Sequence, residues 1–98
     1  MIYFKQPTVR VSISNKEPYL HRFEGLNQSL ETLHITKIKK GCSCTNLNTP
    51  GVIYPAQEFI IEMTVDKTGQ TGFFATSAVI EFSNGETKTL KINGEFLS

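Results

Sequence analysis

Phe59, Ile61, Met63 and Val65 alternate with Glu62, Thr64 and Asp66. A period of two sends successive side chains to opposite faces of an extended chain, so this run dictates a strand with one face buried and one wet. The same alternation recurs along the chain. Val9, Val11 and Ile13 alternate with Arg10 and Ser12, and Tyr19 to Leu26 forms a further candidate strand with Phe23 inward. Phe74, Ala78, Ile80 and Phe82 share one parity ahead of Leu90 and Ile92. Leu33 and Ile35 keep the pattern before the phase slips to Ile38, as it does where a β-bulge adds one residue. No amphipathic helix of useful length, internal repeat or low-complexity stretch interrupts the series.

Turn chemistry separates the runs. Asn15-Lys16-Glu17-Pro18 and Lys67 to Gly72 read as turns, and Thr45 to Pro55, rich in Asn, Thr, Pro and Gly, reads as a connecting loop. Parity decides the last connection. A two-residue Asn84-Gly85 loop would turn the apolar residues of the flanking strands to opposite sides. A three-residue loop, Ser83-Asn84-Gly85, pairs Phe82 with Glu86, puts Ile80, Phe82, Leu90 and Ile92 on one face, and wants left-handed Gly at Gly85. Short strands at this spacing without helices predict a sandwich or small barrel, in a single domain spanning residues 1–98.

Leu33-His34-Ile35, Cys42-Ser43-Cys44-Thr45, Pro55-Ala56-Gln57, Ser83-Asn84 and Leu90-Lys91-Ile92-Asn93-Gly94 occur in that order. From Phe23 to the end the chain thereby resembles a family of bacterial immunoglobulin-like domains of unknown function, akin to major sperm protein and the Hydin-type domains of cilia. That family's pattern is a Leu-x-Ile strand, Cys-Gly-Cys-Thr, a Pro-Gly-Glu turn, and a Ser-Asn hairpin finishing in Leu-x-Ile-x-Gly. Ser43 replaces the motif's Gly and Ala56 the Gly of the turn, departures that bear on local backbone geometry and not on the fold. The resemblance implies an all-β, immunoglobulin-like antiparallel sandwich of about seven strands and a non-catalytic adhesive or scaffold role.

Cys42 and Cys44 carry the sharpest chemical question. Two residues apart on a strand they would share a side with Cα atoms ~6.5–7 Å apart, at or beyond disulfide range without a bend. The residues themselves favour small packing side chains, with a disulfide, a metal site or a redox centre as alternatives. A metal would need further ligands, and His21 and His34 do not match a structural zinc spacing. No nucleophile motif, Gly-rich phosphate loop or paired carboxylates occur, so neither an enzyme nor a cofactor is expected. Glu58 and Glu62 fall on the polar parity of their strand.

A net charge of +1 is too balanced to signal nucleic acid, and the cluster Lys37, Lys39 and Lys40 reads first as a solvated strand end. Met1 to Pro7 lacks the features of a signal peptide, and no window approaches the roughly 18 apolar residues of a membrane span. The expectation is a chain made in the cytoplasm that binds neither nucleic acid nor membrane. Candidate interface residues are Phe73, opposite in parity to Phe74, with Tyr54, Lys39 and Lys40; ordinary packing is the competing reading for the aromatics. The expected role is a structural or interaction module with a protein partner. A small decoration or cement protein of a virus capsid, such as a bacteriophage head, stands first. A cytoplasmic or envelope adaptor that binds through a sheet edge is second, and a Cys-x-Cys metal or redox protein third.

Overall fold

The computed structural model describes residues 1–14, 18–66 and 71–97. Among them are eight strands and no helix: β1 (Ile2–Phe4), β2 (Thr8–Ser14), β3 (Tyr19–Asn27), β4 (Ile35–Lys40), β5 (Thr45–Asn48), β6 (Glu58–Val65), β7 (Gly72–Phe82) and β8 (Thr87–Leu97). They form two four-stranded sheets, β1-β3-β6-β5 and β2-β8-β7-β4, whose inner faces meet in a sandwich. All pairs are antiparallel except β2 with β8. Asn15–Glu17 and residues 67–70, in the two turns read from sequence, lie outside the described residues.

The period-two residues make the core. Phe23, Phe59, Ile61, Met63 and Val65 from one sheet face Ala78, Ile80, Phe82, Leu90 and Ile92 from the other, all buried. The phase slip before Ile38 is a register shift in β4, where Ile35 pairs with Phe82 and Lys37 with Glu81. The last hairpin has the three-residue loop: Gly85 N–H donates to Phe82 O at 2.9 Å, Phe82 N–H donates to Glu86 O at 2.9 Å, and Gly85 has φ +88°.

One segment differs from its sequence reading. Thr45–Asn48, assigned to the loop from Thr45 to Pro55, is an edge strand paired with β6. Its sequence Thr-Asn-Leu-Asn buries only Thr45 and half-buries Leu47, too little apolar content for periodicity to register. The free edge of β6 supplies the ladder that orders it.

Glycines let two aromatic rings lie on the sheets. Phe59 stands opposite Gly25, and Phe74 opposite Gly94. A Cβ on Gly94 would fall 2.6 Å from the Phe74 ring and 2.7 Å from the Val11 carbonyl oxygen. Phe74 in turn stacks on Phe96 at 4.5 Å, and Phe4 meets Phe59 edge-on at 5.6 Å.

Candidate interaction surface

The Cys-x-Cys-Thr motif is where the chain changes sheets. β4 ends at Lys40 on one sheet edge, β5 begins at Thr45 on the edge of the other, and residues 41–44 carry the crossing. Gly41 N–H donates to Ser77 O at 2.8 Å, and Thr45 N–H reaches back to Cys42 O at 3.2 Å, so the motif is a turn. That turn brings the Cα atoms of Cys42 and Cys44 to 5.2 Å, and the two sulfurs are bonded. The extended-strand spacing, which favoured unbonded packing residues, therefore does not apply. Thr45, fully buried, shares a 2.6 Å hydrogen bond with Thr76 of β7, a polar tie between the sheets inside the core. Ser43, in place of the motif's Gly, has no positive φ; Ala56 does, at +62°.

Of the remaining groups with chemical potential, His21 and Glu62 are engaged structurally. His21 Nδ1 and the Tyr19 hydroxyl are 3.1 Å apart, and the His21 ring meets Phe23 edge-on at 4.6 Å. Burial lowers the pKa of His21 and raises that of Tyr19. His34 is exposed beside Ser83, whose hydroxyl accepts its N–H. Among the described residues no three His, Cys, Asp or Glu side chains gather as metal ligands would. Glu58 is exposed, whereas Glu62 is half-buried and accepts hydrogen bonds from Arg22 (3.0 Å) and Asn48 (3.1 Å).

The outer faces of the two sheets differ. On β2-β8-β7-β4, Phe73 is 87% exposed although it lies within a strand. The register sets Phe73 beside Glu95 and Glu95 beside Ser12, with Ala75, Asn93 and Arg10 in the next row. Phe73, Glu95, Ser12, Asn93 and Arg10 border a shallow open depression of about 420 Å³. Lys91, paired with Ser77, and Lys37 and Lys39, paired with Glu81 and Val79, complete the face. Arg10, Lys37, Lys39 and Lys91 are exposed, and among the described residues none of the four forms an ion pair. On β1-β3-β6-β5 both cations are paired, Lys5 with Glu24 at 3.4 Å and Arg22 with Glu62 at 3.0 Å, and Glu58 is exposed on the same face.

The structure thus brings Phe73 and Lys39 onto one face. It does not bring Lys40 or Tyr54 there. Lys40 pairs with Ala78 on the inward parity and is exposed only because β4 is an edge strand. Tyr54, 60% exposed, sits in the turn Tyr54–Gln57, close to the Leu33–Ile53 bridge and so near the Phe82 end of β7. Arg10 and Lys91 belong to the face and were missed. Their polar parity beside Val9, Val11, Leu90 and Ile92 was visible, but the parallel β2–β8 pairing that makes them neighbours was not.

Several solved structures share the fold. A Porphyromonas gingivalis W83 protein of unknown function matches at TM-score 0.82 and 13% identity, over 97% of this chain and 46% of that one. The VesB protease of Vibrio cholerae matches at 0.73 and 12%, over 96% of this chain and 31% of that one. SSP-19 of Caenorhabditis elegans, an MSP-domain protein like family member, matches at 0.61 and 14%, over 94% and 95%. The chain therefore spans less than half the length of the first two. At these identities the likeness establishes an immunoglobulin-like, MSP-like sandwich and nothing about activity. No curated protein matches the sequence. A family model described as "Protein of unknown function (DUF1573)" matches residues 2–96, so the likeness reaches β1 and β2 as well as the segment from Phe23 onward.

Proposed function

The chain belongs to that family of unknown function, and we propose that it works as a non-catalytic binding module whose outer β2-β8-β7-β4 face docks on a protein partner. The observation that carries this reading is Phe73. Leaving a phenyl ring exposed in mid-strand forgoes its burial free energy, roughly 1.5–3 kcal/mol, and large aromatics buried in a partner's socket dominate binding energies. On the same face Arg10 lies one row from Phe73, and Lys91, Lys39 and Lys37 lie further along the sheet. Among the described residues none of them forms an ion pair, which favours a partner with an apolar socket for Phe73 and acidic groups extending along the face. The non-catalytic part is supported by the engagement of Thr45 with Thr76 and His21 with Tyr19.

Strand addition at a sheet edge has narrower support. The β4 edge carries Lys37, Lys39, Lys40 and a bulge, all devices that discourage an incoming strand. That leaves β2 as the edge of this sheet suited to one.

Gentle purification from the source, light scattering and protein identification test the reading. Many copies on a megadalton particle assign an accessory of a virus shell such as a bacteriophage head, and a single stoichiometric partner assigns an adaptor. In either case Phe73→Ser releases the chain while its melting temperature holds. A chain that stays monomeric and partnerless throughout, or a complex indifferent to Phe73→Ser, overturns it.

A further inference from the structure

We infer that the Cys42–Cys44 bond is a thiol-exchange site that works in the folded domain, with a protein or small-molecule dithiol as its co-reactant. This goes beyond the docking face and does not depend on it.

A disulfide stabilises a fold chiefly by closing a long loop in the unfolded chain or by fastening distant segments. This one does neither, because it spans a single residue within one turn. The ties that hold the crossing in place are others: Gly41 N–H to Ser77 O, Asp66 N–H to Cys44 O at 2.9 Å, and Thr45 to Thr76. Opening the bond leaves all three in place, so the sandwich survives in the dithiol form. With one residue between them the two thiols also stay tethered, at high effective concentration for re-closure.

Local geometry gives the exchange a direction. Cys44 N–H donates to Cys42 Sγ at 3.2 Å, a contact that stabilises negative charge on that sulfur. A better-stabilised thiolate leaves faster. An incoming thiolate therefore attacks Cys44 Sγ: a new S–S bond forms there, the Cys42–Cys44 bond breaks, and its electron pair departs on Cys42 Sγ, which takes a proton from water. The second thiolate of the dithiol then attacks its own sulfur in the mixed disulfide and releases Cys44. The reagent is oxidised to a disulfide, and the chain holds two thiols. Both cysteines are half-buried in a turn between the two sheets, so neither residue is sealed in the core. Lys39 and Lys40, exposed just before the turn, favour approach of an anionic thiolate.

Dithiothreitol is the probe. The folded chain is incubated with it, alkylated at timed intervals and followed by mass spectrometry and circular dichroism. The expected result is two alkylated cysteines per chain with the folded spectrum intact, at a rate insensitive to urea below the unfolding transition. Air or oxidised glutathione should then re-form the same bond. Cys42→Ser incubated with oxidised glutathione should carry one glutathione, on Cys44. Reduction that rises with urea in step with global unfolding, loss of the folded spectrum on reduction, or two free thiols in the protein as isolated under non-reducing conditions would each overturn the inference.

Discussion

Ala56 holds φ +62° as the third residue of a turn in which Gln57 N–H donates to Tyr54 O at 3.1 Å and Tyr54 N–H donates to Gln57 Oε1 at 2.6 Å. Buried Asn27 grips the turn from below, its Nδ2 donating to the carbonyls of Ile53 and Tyr54. A Cβ in the left-handed region costs roughly 1–2 kcal/mol, against which Gly adds about 0.4–1 kcal/mol of unfolded-state entropy. Ala56→Gly should therefore stabilise the domain by about 0.5–1 kcal/mol, read as a higher urea midpoint with unchanged slope. The need for glycine there was legible as the Pro-Ala-Gln departure from a Pro-Gly-Glu turn. The state of Cys42 and Cys44 was not legible, because it depends on a turn that the flanking Lys-rich and Asn-rich residues do not announce. Ser43 shows the limit of such comparison, since its backbone has no use for the glycine it replaces.

Between elements, the buried Thr45–Thr76 hydrogen bond ties the β5 edge to the opposite sheet. Thr45→Val or Thr76→Val deprives the remaining buried hydroxyl of its 2.6 Å partner and should cost about 1–3 kcal/mol, whereas the double substitution should cost less than the two singles summed. Chemical denaturation of the four proteins measures that coupling. Cross-strand packing sets a second contrast. The atoms nearest a Cβ on Gly25 belong to the Phe59 ring, but one on Gly94 also meets the Val11 carbonyl, which cannot rotate away. Gly94→Ala should lower the urea midpoint more than Gly25→Ala, with overpacking of about 1–3 kcal/mol. Strands rich in alternating apolar residues, β2, β3, β6, β7 and β8, were legible from period alone, and so was the β7–β8 loop. The edge strand β5 was not, because pairing with β6 and not its own pattern makes it a strand.

For the whole molecule, two titrations act in one direction. Burial lowers the pKa of His21 below the ordinary 6.5, so the unfolded chain binds a proton that the folded one resists, and stability falls as pH drops through 6.5. Burial pushes Glu86 up, but the Ile2 N–H at 2.9 Å, Lys88 and Asn84 outweigh it and hold its carboxyl below 4.5. Its contribution is present above 4.5 and is lost as pH falls further. Urea midpoints should therefore decline from pH 7 towards pH 4; His21→Phe should flatten the upper arm and Glu86→Gln the lower. The docking face is also a property of the whole: the parallel pairing of Thr8–Ser14 with β8 brings Arg10 within one row of Phe73, while the antiparallel β7–β8 register sets Lys91 opposite Ser77. Only Phe73, Lys37 and Lys39 were in view from sequence, and nothing short of the sheet order joins them. A photo-crosslinking side chain placed at position 73, compared with one at Ile60 on the opposite outer face, reads that face in the presence of native partners. Adducts to a protein from position 73 alone, lost at high salt as the unpaired cations require, are the expected result. Equal adducts from position 60, or none from position 73, would contradict the assignment of this face as the one that binds.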